Sequence, residues 1–182
     1  MRIIGGKLGG RRISPPANMP YTRPTTDIAK EGLFNIIQNN WELEGAKTLD
    51  LFGGTGSISY ELASRGADDL TIIEKDNKMY SFIKKTSEEL GLKNFKVVKS
   101  DVFRFMEACR EQFDLIFAGP PYALLTIDEL PRLVFENDLL KAGGWFILEH
   151  TPRNNYEQAP FFHFAKNYGT TIFSVFEKPD SE

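Results

Sequence analysis

Short apolar runs of strand length alternate with segments long enough for a helix, and this alternation limits the possible folds more than any other feature of the chain. The runs are Lys47 to Phe52, Leu70 to Glu74, Phe95 to Lys99, Phe113 to Ala118 and Trp145 to Glu149. Between them lie stretches of about 56–65, 76–90, 102–110 and 124–140, each suited to a crossover helix. Strands joined by helical crossovers run parallel, and a parallel sheet is covered on both faces, so its strands read as near-continuous hydrophobic runs. The pattern predicts a doubly wound α/β domain with helices on both faces. Ahead of it, Thr25-Thr26-Asp27 followed by Ile28, Leu33, Phe34, Ile36 and Ile37 predicts a helix with Thr25 or Thr26 as N-cap. After Glu149 the rhythm changes. Two β-like runs, Phe161 to Lys166 and Thr170 to Glu177, flank Asn167-Tyr168-Gly169 and predict a closing antiparallel hairpin. The expected sheet has seven strands and is mostly parallel.

Charge divides the chain unevenly. Residues 1–25 hold five basic side chains and no carboxylate, whereas the remainder holds 17 basic against 25 acidic residues. A basic segment on an acidic body suits nucleic acid, because Lys and Arg contacts to phosphate are the sequence-independent part of such binding. Residues 1–25 are therefore read as an RNA-binding arm with Lys7, Arg11, Arg12 and Arg23 as candidate contacts, and 26–182 as the α/β domain. No apolar run approaches the ~18–20 residues needed to span a bilayer. The N-terminus has neither the apolar stretch nor the cleavage site of a secretory signal, so a cytoplasmic location is expected. With one cysteine, Cys109, and two histidines, His150 and His163, no cluster has metal-ligand spacing, and neither a metal nor a disulfide is expected.

Chemistry concentrates at the predicted carboxyl ends of the strands, where open α/β sheets bind their ligands. Leu49-Asp50-Leu51-Phe52-Gly53-Gly54-Thr55-Gly56 is a strand running into a glycine-rich turn and then a helix. A dinucleotide-binding turn would show three spaced glycines, but here Ser59 stands in the third place, and Asp50 is a poor neighbour for a pyrophosphate. A carboxylate there suits a cationic, phosphate-free ligand such as S-adenosylmethionine. Glu74 follows Asp50 by 24 residues, at the position from which Rossmann-like proteins hold ribose hydroxyls. Asp101 is placed to read an adenine amino group with Val102 against the ring, or to serve as a helix N-cap. Gly119-Pro120-Pro121-Tyr122 ends the fourth strand. Its two prolines remove two N–H donors and leave carbonyls as acceptors, and its aromatic ring offers a stacking face for an unpaired base. That set suits methylation of an exocyclic amino group.

On these residues the sequence resembles the RsmD family of 16S ribosomal RNA guanine-N2 methyltransferases over nearly its whole length. The resemblance also rests on the opening Met1-Arg2-Ile3-Ile4-Gly5-Gly6-Lys7, on Gly10-Arg11, and on Arg23-Pro24-Thr25-Thr26-Asp27 with Lys30-Glu31 and Leu33-Phe34-Asn35. It implies a Rossmann-like class I methyltransferase fold and S-adenosylmethionine as cofactor. Asp50, Phe52, Gly54 and Gly56 would form the methionine-end pocket, Glu74 would hold the ribose and Asp101 the adenine. It also implies a basic RNA-binding arm and action on a guanine in a small-subunit assembly intermediate; a monomer is expected. One departure stands out: the family reads Asp-Pro-Pro at the catalytic loop, and this chain has Gly119. Glu149, ending the next strand at the same sheet edge, is a candidate substitute, although by the resemblance the family often has an acid there already. Two alternatives stay open. One is methylation of another amino group, adenine in DNA or a protein glutamine; the other is an RNA-binding homologue with weakened catalysis.

Overall fold

A computed structural model of the protein describes residues 1–17 and 25–180. Helix α1 (Asp27–Asn40) opens the body, followed by β1 (Lys47–Asp50), α2 (Ser57–Ser64), β2 (Asp69–Ile73), α3 (Asn77–Glu89), β3 (Phe95–Val98), α4 (Val102–Ala108), β4 (Phe113–Ala118), α5 (Glu129–Glu136) and β5 (Leu140–His150). The hairpin β6 (Phe162–Tyr168) and β7 (Thr171–Glu177) closes the fold. Among the described residues, no helix is long and apolar enough to cross a membrane.

The seven strands form one sheet in the order β3-β2-β1-β4-β5-β7-β6. Neighbours from β3 through β5 pair in parallel, while β7 pairs antiparallel with both β5 and β6. The predicted class and the antiparallel ending are therefore both present. Because side chains alternate across a strand, β5 sends Trp145 and Ile147 to one hydrophobic cluster and Phe146 and Leu148 to another. The first cluster includes Leu33, Phe34 and Ile37 of α1 and Ile58 of α2; the second includes Met106 of α4 and Val134 of α5. Each face of the sheet thus has its own core.

Local chemistry sets the helix ends. Thr26, rather than Thr25, caps α1 by accepting the Ala29 N–H at 3.2 Å. Asp76 caps α3 through the Met79 N–H at 2.9 Å. The segment 124–140, long enough for a crossover helix, is helical over Glu129–Glu136. Turns occupy the residues before Glu129, and at the other end Asp138 has φ of 54°, which a continuing right-handed helix excludes.

The basic N-terminal segment is fastened to the body. Residues 1–13 fold back on themselves, with Ile3 N–H donating to Arg11 O at 2.9 Å and Ile13 N–H to Met1 O at 2.9 Å. Ile3 and Ile13 are buried in the first core. Glu61 of α2 accepts the Ile4 and Gly5 N–H groups at 2.9 and 2.8 Å, and Ser64 Oγ accepts the Leu8 N–H at 2.9 Å. Burial raises the cost of ionising Glu61, yet these N–H groups with Arg65 and Lys30 outweigh it and hold its pKa below the usual value. Lys30 is itself 1% exposed; its Nζ donates to Arg2 O at 2.7 Å and to Ser57 Oγ at 3.1 Å, and lies 3.4 Å from Glu61.

Candidate active site

The carboxyl ends of β1 to β5 lie along one sheet edge, and a single cleft opens over them. Asp50, Phe52, Gly53, Gly54, Glu74, Asp101, Val102, Gly119, Pro121 and Glu149 all line it. Its empty space is about 1150 Å³, open mouth included. The order β2-β1-β4 puts the reversal of chain winding beside β1, so the glycine turn sits where such sheets bind ligands.

Asp50 is 2% exposed. Its Oδ2 accepts the Ser59 hydroxyl at 2.9 Å, while Oδ1 is buried without a well-formed hydrogen bond. Burial pushes its pKa up to about 7; Ser59 and the Phe52 N–H pull it back, and the nearby charges of Glu74 and Glu149 add to the rise. A buried acceptor left short of a partner, among other carboxylates, is an environment that a cation relieves. The ammonium of S-adenosylmethionine therefore fits Asp50, and the donor set present fits the cofactor.

Glu74 uses both oxygens to organise the turn: Oε1 accepts the Gly54 N–H at 2.9 Å and Oε2 the Asp76 N–H at 2.8 Å. Each carboxylate oxygen has a second lone-pair direction for a ribose hydroxyl. Asp101 is the N-cap of α4, with Oδ1 accepting the Phe103 and Arg104 N–H groups at 3.0 and 3.1 Å. Asp101 thus takes the N-cap role and also lines the cleft.

Three expected site residues stand away from the cleft wall. Gly56, at φ of 85°, begins α2, and a β-carbon there would fall 2.4 Å from the Tyr60 ring. Its glycine thus serves backbone conformation and internal packing. Pro120 and Tyr122 border a neighbouring depression that shares Pro121 and Leu124 with the cleft, and Tyr122 is 63% exposed. An exposed aromatic beside the cleft can stack on a base carried by a large partner. Lys7, Arg11 and Arg12 are exposed on the docked N-terminal segment, and Arg23 lies outside the described residues.

Thr25 was not legible as a site residue. It lines the cleft and donates its hydroxyl to Glu149 Oε1 at 2.7 Å, across 124 residues of sequence. Glu149 is 2% exposed. A β-carbon built on Gly119 would stand 3.6 Å from the same Oε1 and 3.2 Å from the Phe117 ring. The space left by the missing side chain at 119 therefore adjoins the Glu149 carboxylate.

Residues 1–177 match the family described as Conserved hypothetical protein 95. The chain is 31% identical over 164 residues to ribosomal RNA small subunit methyltransferase D of Buchnera aphidicola, covering 86% of this chain and 83% of that protein. This chain belongs to the RsmD family. Among solved structures, the Escherichia coli protein yhhF, described as a candidate methyltransferase, superimposes with a TM-score of 0.88 at 26% identity over 100% of this chain and 99% of its own. The 16S rRNA N2 methyltransferase RsmC of Thermus thermophilus, solved with AdoMet and guanosine, gives 0.69 at 25% identity over 86% of this chain and 44% of its own. The fold is thus that of class I S-adenosylmethionine-dependent methyltransferases, as the RsmD resemblance implied.

Proposed function

We propose that this protein methylates the exocyclic N2 amino group of a guanine in 16S rRNA, using S-adenosylmethionine, while the small subunit is still assembling. The observation that carries the reading is the convergence of Asp50, Glu74 and Asp101 with the Gly119–Pro121 loop on one cleft, in a chain of the RsmD family. Bound there, the cofactor supplies an electrophilic methyl group. Asp50 would take the ammonium end, Glu74 the ribose, and Asp101 with Val102 the adenine. Their work is to bind and orient, which converts a bimolecular encounter into a positioned one. The exposed ring of Tyr122 would receive the extruded base, and the loop carbonyls would accept its amino hydrogens. Exposed Lys7, Arg11 and Arg12, together with Arg23, would hold the RNA backbone. The protein would act as a cytoplasmic monomer, with residues 1–25 as the RNA-binding part and 26–182 as the methyltransferase domain.

The test is mass mapping of modified nucleotides in 16S rRNA from cells with and without the gene. Loss of one N2-methylguanosine is the expected result, and an unchanged modification map would overturn the proposal. A second reading draws on Gly119, which lacks the acid that the family resemblance implies there: the protein would bind RNA without methylating it. Failure to bind S-adenosylmethionine in a direct titration would favour this second reading.

A further inference from the structure

We propose that Glu149 is the catalytic acceptor for the target amino group, occupying from β5 the place that the side-chain-free Gly119 leaves open. The inference rests on the amino-methylation reading above and assigns a residue within it. Three observations point to Glu149. Its carboxylate lines the same cleft as the cofactor-binding acids and the proline loop. Its Oε1 lies 3.6 Å from where a β-carbon on residue 119 would sit, so it faces the space that a carboxylate on the loop would otherwise enter. And its Oε1 is held by the Thr25 hydroxyl at 2.7 Å, which fixes the long side chain in one orientation.

An aromatic amino group is a weak nucleophile because its lone pair is delocalised into the ring. A carboxylate accepting one of its hydrogens raises electron density on nitrogen and turns the lone pair toward the methyl donor. The nitrogen lone pair then forms the N–C bond as the S–C electron pair returns to sulfur, leaving a neutral thioether and a cationic nitrogen. The surplus proton passes to the Glu149 carboxylate and from there to solvent, so charge and atoms balance. Asp50 is engaged by Ser59 and sits at the β1 tip, Glu74 is bound to two loop N–H groups, and Asp101 caps α4. Asp76, which also lines the cleft, caps α3, and Glu149 is the acid nearest to where a β-carbon on residue 119 would sit.

The experiment moves the carboxylate from one strand tip to the next. Glu149→Gln keeps the shape and an acceptor for Thr25 and removes the charge. It should lower kcat about 100-fold on immature small subunits while the S-adenosylmethionine Kd, read by calorimetry, stays within about twofold of the unaltered protein. Adding Gly119→Asp to that variant should restore at least tenfold of the loss, whereas Gly119→Asp alone, which sets two acids side by side, should bring no gain. An unchanged kcat in Glu149→Gln, a loss that Gly119→Asp does not repair, or a loss confined to cofactor affinity would each overturn the assignment. If the unaltered protein transfers no methyl group to any RNA, the proposed function fails instead, and the two failures are distinguishable.

Discussion

The backbone N–H of Gly54 donates to Glu74 Oε1 at 2.9 Å, so the turn that follows β1 is tied to the tip of β2. Removing that carboxylate disturbs the shape of the turn and, with it, the acceptor proposed for the ribose. Glu74→Ala should weaken S-adenosylmethionine binding by about 10–100-fold, as expected when hydrogen bonds to a charged group are lost. RNA affinity, measured separately by filter binding, should stay within about twofold. Equal losses in both would sink the separation of cofactor and RNA sites.

Asp50 ties binding to pH. Its pKa in the folded protein is about 7 against an ordinary 3.8, so the folded state keeps a proton that the unfolded chain releases. The stability this confers is fully present below about pH 4 and is lost as pH rises to about 7. A cationic cofactor favours the ionised form, so binding below pH 7 should release a proton, and affinity should fall by up to about tenfold between pH 7 and 6. Calorimetry in buffers of different ionisation enthalpy reads that proton directly. Asp50→Asn should remove the pH dependence and weaken binding at pH 8. In the unliganded protein at pH 8 it should also raise Tm, because no charge is then buried.

The exposed cations of the N-terminal segment predict a salt effect. Each phosphate contact contributes about −0.7 to the slope of log affinity against log salt for a single strand. Replacing Lys7, Arg11 and Arg12 with glutamine should therefore flatten the slope by about 2 if all three touch phosphate. Cofactor affinity should not change. A slope identical to that of the unaltered protein would place the RNA on another face.

Glu61 lies at the centre of a buried set that includes Lys30, Arg65 and the Ile4 and Gly5 N–H groups. Glu61→Ala leaves Lys30 buried without its counter-ion, a change that typically costs 3–5 kcal/mol, or roughly 10 °C in Tm for a domain of this size. Because the pKa of Glu61 is held below its ordinary 4.5, its stabilisation is present above that pH and fades as pH falls further. Thermal unfolding at pH 7 and pH 3.5 checks both statements: the difference between variant and unaltered protein should shrink at the lower pH.

Much of the fold was legible because buried parallel strands announce themselves as apolar runs. Phe113 to Ala118 was bounded correctly for that reason, and Asp50, Glu74, Asp101 and Gly119 follow from standing at the ends of such runs. What escaped depends on contacts between distant segments. The start of β5 at Leu140 lies before Gly143 and Gly144, which interrupt the apolar pattern. The Thr25 to Glu149 bond joins residues whose proximity only the sheet order creates. The N-terminal segment read as a basic RNA-binding arm, and its docking on the body was not legible, because its cations and glycines outnumber Ile3 and Ile13. Its partners, Glu61 and Ser64, look like ordinary helix-surface residues until the helix is seen to lie beneath it.

Helix α2 spans eight residues, or about 12 Å, and has a different task at each end. Its first turn grows out of the glycine bend at the cleft, and its second grips the N-terminal segment through Glu61 and Ser64. A helix this short leaves little slack, so on the proposed reading, in which the N-terminal segment holds phosphates and the glycine turn the cofactor, it would work as a ruler between the two. On that reading, which nucleotide can be reached would be a matter of molecular length as much as of base recognition.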